Sequence, residues 1–379
     1  MISILLVNQP LVKFIQNISI CQLAFNNIKR LRKYLWKSLR KFNITNKSLM
    51  TNTTLKLLAQ QLQISISTVS RALKDHPDIS AATKAKVNAL AHSMDYEPNA
   101  YAIQLRTQSS KIFGVIVPAI SNLFYDSFIA AVEEESRKNG YALMILQSSN
   151  KLENELDNLK IFRQNRVSGV FACLSAQAEN LETYHRMTEK EIPVVFFDIV
   201  PKDNRFTKVR MADERCATIA AECIINRNSK KVLAIFGDPG LSISQKRKAA
   251  FQSFMENYAP KVHITYVDAK STNEAEEIFR KQYAKVQKFD TVFAMTDEIL
   301  IGVMKAVQAL EIKVPKQVGI ISISNGFIPN LYHPHICYVE TSGYELGKLA
   351  FVQMMANLKG GKTLTELTVE AKYVAGGSM

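Results

Sequence analysis

Glycine and proline are scarce, 14 and 11 of 379 residues. That scarcity excludes a collagen-like or low-complexity chain, and with nearly half the residues apolar it argues for packed globular cores. No apolar run reaches the ~18 residues a membrane-spanning helix needs, so no membrane partner is expected. The opening "MISILLVNQPLVKFI" lacks a cationic start, and Asn, Gln and Pro interrupt its apolar run, so it does not read as a secretory signal. The five cysteines (Cys21, Cys173, Cys216, Cys223, Cys337) show no CxxC spacing, the pattern of reduced structural thiols in a cytoplasmic protein. Six scattered histidines give no metal-ligand spacing; His333 and His335 flank Pro334 in what reads as an ordinary loop. Neither GxGxxG nor GxxxxGK[ST] nor GxSxG occurs, and "GDPGLS" matches a phosphate loop only weakly. No enzyme, cofactor or metal is expected.

Acids are missing from residues 1–49, which hold nine Lys or Arg; of the net charge of +14, this leaves +5 for the rest. A basic arm attracted to phosphates and a start codon placed too early are both consistent with this leader. The second is preferred, because Met50 opens the first recognisable unit. The length calls for two or three cores.

Leu55, Leu58, Ala59 and Leu62 fall at i, i+3, i+4 and i+7, the stripe of a short amphipathic helix that Thr53 or Thr54 can cap. A second helix begins at Ser65, whose hydroxyl can accept from the N–H of Thr68, and Val69, Ala72 and Leu73 give it an apolar side. A third starts at Ser80 and buries Val87, Leu90, Ala91 and Met94, completing a helix-turn-helix unit. With Val69 and Leu73 turned inward, Ile66, Ser67, Ser70 and Arg71 face outward. Hydroxyls there allow close approach to phosphates, and an arginine can grip a guanine edge bidentately. A helix serving stability alone would more often expose Glu and Lys.

The run "SISTVSRALKDHPDISAATKAKVNALAHSMDYEPNAYAIQL" resembles the headpiece of the LacI family of bacterial transcription regulators, in which VSxxTVSRxLN, VSxxTrxxV and YxPNxxAxxL recur in this order. The resemblance implies that Ile66, Ser67 and Arg71 read bases while Thr54, Ser65, Thr68 and Ser70 hold phosphates. Two positions depart from the pattern: Gln63 stands where glycine is usual in the turn, and Lys74 where asparagine follows SRxL. In "YEPNAYAIQLR", Pro98 keeps Glu97 out of the helical region and Asn99 can cap a two-turn helix with Ala102 and Leu105 on one side. Such a helix is marginal alone. The likeness makes it a hinge that pairs with its copy in the minor groove and wedges Leu105 into a base step.

From residue 111 the pattern becomes apolar strand, then amphipathic helix, many times over. "IFGVIVP", "ALMILQS", "GVFACLS", "VVFFDIV", "VLAIFGD", "TVFAMT" and "VGIISIS" are the clearest strands, and continuous apolar runs of this kind imply parallel sheets covered on both faces. This body also resembles the family's effector domain, similar to periplasmic sugar-binding proteins: two lobes joined by three crossovers around a cleft. By that likeness Phe124 and Tyr125 offer aromatic surface to a ligand, and Asp198, Arg247, Asp297 and Ser324 offer polar groups. Bland readings stand beside two of these, Asp297 as the cap of the helix "EILIGVMKAVQAL" and Arg247 as a surface charge. Thr296-Asp297 and Ser324-Asn325 replace the family's usual ND and acids, which weakens a sugar ligand.

The expected α/β architecture is therefore an N-terminal three-helix helix-turn-helix domain with a hinge helix, then two doubly wound parallel-sheet subdomains of periplasmic-binding-protein type. The expected division is 1–49 leader, 50–98 helix-turn-helix, 99–110 hinge, 111–211 with 341–363 as the first subdomain, and 212–340 with 364–379 as the second. The expected function is a cytoplasmic, homodimeric transcription regulator, more readily a repressor, bound to a near-palindromic DNA operator and controlled by a small-molecule effector such as a carbohydrate. The alternative is a small-molecule binding protein that no longer reads DNA.

Overall fold

The structure is a computed structural model that describes residues 54–97, 110–175, 181–285, 288–361 and 366–379. The chain divides into two compact units between Ile103 and Gln104. The leader and the expected hinge with Asn99, Ala102 and Leu105 lie outside the described residues.

In the first unit, α1 (Leu55–Leu62), α2 (Ile66–Ala72) and α3 (Ala81–Ser93) surround a small core of Leu58, Val69, Ala72 and Val87, each at most 1 % exposed. Burying Leu58, Val69 and Val87 contributes ~1.5–3 kcal/mol apiece, which helps hold three short helices that would be marginal singly. Each helix is capped by a hydroxyl: Thr54 Oγ1 accepts from Leu57 N, Ser65 Oγ from Thr68 N and Ser80 Oγ from Thr83 N. Gln63 ends α1 in the left-handed region, φ 54° and ψ 38°, so the turn keeps the geometry that glycine would adopt freely.

The second unit carries two six-stranded sheets. The first has β1 (Ile112–Val117), β2 (Ala142–Gln147), β3 (Gly169–Ala172), β4 (Val194–Phe197), β5 (Thr207–Met211) and, late in the chain, β11 (Glu366–Val369), in the order β11-β5-β4-β3-β1-β2, all parallel. The second has β6 (Lys231–Phe236), β7 (His263–Asp268), β8 (Thr291–Ala294), β9 (Gly319–Ser324), β10 (Cys337–Glu340) and β12 (Lys372–Val374), in the order β12-β10-β9-β8-β6-β7, with only β12 antiparallel. All seven apolar runs singled out in the sequence are strands.

Helices cover both faces: α4 (Leu123–Lys138), α5 (Leu152–Gln164), α6 (Glu182–Thr188) and α11 (Gly343–Leu358) on the first sheet, and α7 (Asp213–Asn226), α8 (Ser242–Tyr258), α9 (Thr272–Tyr283) and α10 (Asp297–Ala309) on the second. Each sheet thus has its own core. In α11, Gly343 and Gly347 let the backbone lie against α4; a Cβ at either would collide with the carbonyl of Phe124 or Phe128. The chain crosses between lobes at Ala212, at Thr341–Ser342 and at Glu370–Ala371. The last crossing corrects the expected boundary at 364: Glu366 still belongs to the first sheet, because its carboxylate bridges buried Lys208 at 3.0 Å and Arg210 at 2.5 Å along β5.

Candidate functional site

The outer face of α2 is the first candidate. Ile66 is 48 % exposed, Ser67 and Arg71 are exposed, and Ser70 is half-buried beside inward Val69 and Ala72. The hydroxyls of Ser65, Ser67 and Thr68 lie together, Ser65 Oγ being 2.7 Å from Ser67 Oγ and 2.8 Å from Thr68 Oγ1. With exposed Thr54 at the start of α1, they line the amino ends of two helices, where backbone N–H groups favour anions. Arg71 is held only loosely: Asp78 Oδ2 lies 3.9 Å from Nη1, and both side chains are more than half exposed. An exposed pair this long contributes little, so the guanidinium is free to engage another partner. Lys74 is exposed one turn further on.

The second candidate lies where strands of both sheets end. Asp198 follows β4 in a left-handed conformation, φ 58°, and is 9 % exposed. This backbone is uncommon for a residue other than glycine and is the kind of local strain that collects at binding sites. Tyr125 Oη donates to Asp198 Oδ2 at 2.8 Å, with the thiol of buried Cys173 at 4.0 Å from the same oxygen. Burial, with the nearby charge of Asp213, raises the Asp198 carboxyl to about 6, against the opposing pulls of the Tyr125 hydrogen bond and Arg247. Phe124 packs edge-on to Tyr125, ring centres 5.7 Å apart.

On the other lobe, Arg247 is 5 % exposed, which rules out the surface-charge reading. Its Nε and Nη2 lie 3.0 and 2.9 Å from Asp213 Oδ1, and Nη1 donates to the Met295 carbonyl at 3.4 Å. Asp297 is not the helix cap: Thr296 Oγ1 accepts from Ile299 N, and Asp297 opens α10 as its first residue. This frees the Asp297 carboxylate, which accepts from Ser324 Oγ at 2.5 Å. Burial lifts Asp297 to about 6, with the Ser324 hydrogen bond opposing.

Residues that sequence reasoning missed join the lobes. Asn122 caps α4 through Oδ1, accepting from Phe124 N at 2.9 Å, while its Nδ2 donates to Glu298 Oε1 at 2.6 Å. Asn325 Nδ2 donates to the Leu123 carbonyl at 3.1 Å. Leu123 packs into the core of the second lobe and Leu241 into that of the first. Thus the start of α4, which carries Phe124 and Tyr125, lies against Glu298 and Asn325 of the other lobe, while Asp198 feels the charges of Asp213 and Arg247 there. No hydrogen bond between described residues links the Asp297–Ser324 pair to Asp198 or Arg247.

Residues 54–99 match the family model of bacterial regulatory proteins of the lacI family, and residues 113–363 match the periplasmic binding protein domain. The chain is 25 % identical over 318 residues to the HTH-type transcriptional regulator RegA of Clostridium saccharobutylicum, covering 83 % of this chain and 95 % of that one. It is 26 % identical over 313 residues to the ribose operon repressor of Bacillus subtilis, covering 81 % and 92 %. A lac repressor dimer solved with operator and the anti-inducer ONPF shares the fold, with a TM-score of 0.78, 16 % identity and coverage of 86 % of this chain and 99 % of that one. A LacI family regulator from Silicibacter pomeroyi gives a TM-score of 0.71 at 20 % identity, over 86 % and 99 %. The chain belongs to the LacI family of bacterial regulatory proteins, and it is a DNA-binding transcription regulator rather than an enzyme.

Proposed function

We propose that this regulator binds a near-palindromic operator as a homodimer and represses transcription according to a small-molecule effector. Ile66, Ser67 and Arg71 read base edges in the major groove; Thr54, Ser65, Thr68 and Ser70 hold phosphates; the hinge residues Asn99, Ala102 and Leu105 enter the minor groove. Phe124, Tyr125, Asp198, Arg247, Asp297 and Ser324 form the effector site. One copy of so small a headpiece buries too little surface for tight specific binding, whereas two at fixed spacing read successive turns of one DNA face. The reading rests on one observation above all: Arg71 stands exposed beside a group of hydroxyls at a helix amino end, with only a long, exposed ion pair to restrain it.

The effector acts by differential affinity. A ligand held by both lobes favours one lobe orientation, and the coupling equals the difference between its affinities for the two states. The test is a gel shift of the full-length protein on DNA upstream of its own gene, at several salt concentrations. Arg71→Ala should weaken the specific complex by ~1–3 kcal/mol and relax preference at one base pair per half-site. Equal weakening on all sequences would make Arg71 a phosphate contact instead.

A further inference from the structure

We infer that Asp78 determines specificity in DNA recognition: its carboxylate positions the Arg71 guanidinium for one base and penalises binding to DNA that lacks that base. This deepens the reading of Arg71 as a base contact and rests on it.

Three residues close a ring at the end of α2. The His76 N–H donates to the Arg71 carbonyl at 3.0 Å, the Asp78 N–H donates to His76 Nδ1 at 3.3 Å, and Asp78 Oδ2 lies 3.9 Å from Arg71 Nη1. His76 Nδ1 is also 3.3 Å from Asp78 Oδ2. The backbone that carries these groups turns tightly, with Asp75 left-handed at φ 56° and Pro77 limited to the φ of its ring. The turn and the short aspartate side chain therefore set where the carboxylate stands. Four acids occur between residues 54 and 97. Asp75 is closed by Lys84 at 2.7 Å, and Asp95 and Glu97 follow α3, so Asp78 is the acid set beside the base-reading side chain.

An acid in this place has a cost. DNA is a polyanion, and an exposed carboxylate on the docking surface repels every sequence alike. The compensation lies in the shape of the guanidinium, whose donors form a rigid planar fork. Asp78 stands at Nη1 and leaves the Nε–Nη2 edge for the two acceptors of a guanine. In water the pair is long, exposed and weak. Once docking displaces water from around it, screening falls and the same attraction grows. On the matching base the arginine thus keeps Asp78 and gains the guanine, with less side-chain freedom left to lose. On a base that offers no such acceptors, the guanidinium either stays unpaired on its outer edge or leaves Asp78 for a phosphate, and the carboxylate then faces the DNA backbone uncompensated. The two affinities are driven apart from both sides.

The experiment titrates full-length protein against the duplex that the parent prefers from a random pool and against a scrambled duplex of the same composition. Asp78→Asn, Arg71→Ala and the double variant are compared with the parent. Asp78 is 63 % exposed in its side chain, so its replacement leaves the headpiece core intact. Asp78→Asn should tighten the scrambled complex but not the preferred one, lowering the ratio of the two affinities about fivefold or more. Asp78→Ala, which offers no amide to a base, should do the same. In the Arg71→Ala background the substitution should tighten both complexes alike and leave the ratio unchanged. An unchanged ratio in the parent background overturns the inference. A ratio that falls equally in both backgrounds overturns it too, since Asp78 would then act without Arg71. Should Arg71→Ala by itself weaken both duplexes equally, the base-contact reading of Arg71 fails, and this inference with it.

Discussion

Asn122 and Glu298 belong to opposite lobes, and the amide of one donates to the carboxylate of the other at 2.6 Å. The same asparagine caps α4, the helix that carries Phe124 and Tyr125, so one side chain ties the aromatic edge of the candidate cleft to the second lobe. Asn325 makes a second tie, to the carbonyl of Leu123. These bonds bias the relative orientation on which effector control depends.

Asn122→Ala removes both the cap and the tie. Stability of the second unit should fall by ~1 kcal/mol from the cap. The distribution of spin-label distances between exposed sites on the two lobes should also broaden toward longer values. Asn122→Asp keeps the cap but places like charge against Glu298, and should broaden that distribution without the loss of the cap. Identical distance distributions in all three proteins would remove the tie from the account.

Gln63 adopts its left-handed backbone at the expense of the headpiece, since a side chain there is strained where glycine is not. Gln63→Gly should therefore stabilise the three-helix unit by ~0.5–1 kcal/mol, reduced by the greater freedom of glycine in the unfolded chain. Gln63→Val should destabilise it by more than ~1 kcal/mol. Amide exchange at Val69 and Ala72 reads both changes.

Buried Asp198 is raised to about 6, whereas an unfolded aspartate titrates near 3.9. Between those values the folded state holds more protons, so this group's contribution to stability is full below pH ~4 and is lost as pH rises through 6. Asp198→Asn removes the dependence. The variant should gain up to ~2 kcal/mol over the parent at pH 7.5, with the gain fading toward pH 4. Melting the two proteins at both pH values decides the matter, and an equal gain at each would contradict it.

Much of this was legible in the sequence because of how each element is buried. Strands covered on both faces read as unbroken apolar runs, and all seven such runs are strands. β5, "TKVRM", was not legible: Lys208 and Arg210 disguise it, and Glu366, far along the chain, together with Asn204 explains how a lysine is buried there. β7 and β12 stand at sheet edges, half-exposed or exposed, and lack the apolar signature. On the headpiece the outward residues followed from helical spacing. In the cleft, resemblance supplied the candidate positions, but Asp213 as the partner of Arg247, the capping of α10 by Thr296 and the Asn122–Glu298 tie did not follow. They join residues 34 and 176 positions apart, or depend on which neighbour a helix ends on.

The most direct measurement is sequencing of the duplexes that purified full-length protein retains from a random pool, for the parent and for Arg71→Ala. The account predicts a near-palindromic consensus with half-sites about one helical turn apart, ~10 base pairs, and loss of preference at one position of each half-site in the variant. A pool that yields no consensus, or one that Arg71→Ala leaves unchanged, would contradict it.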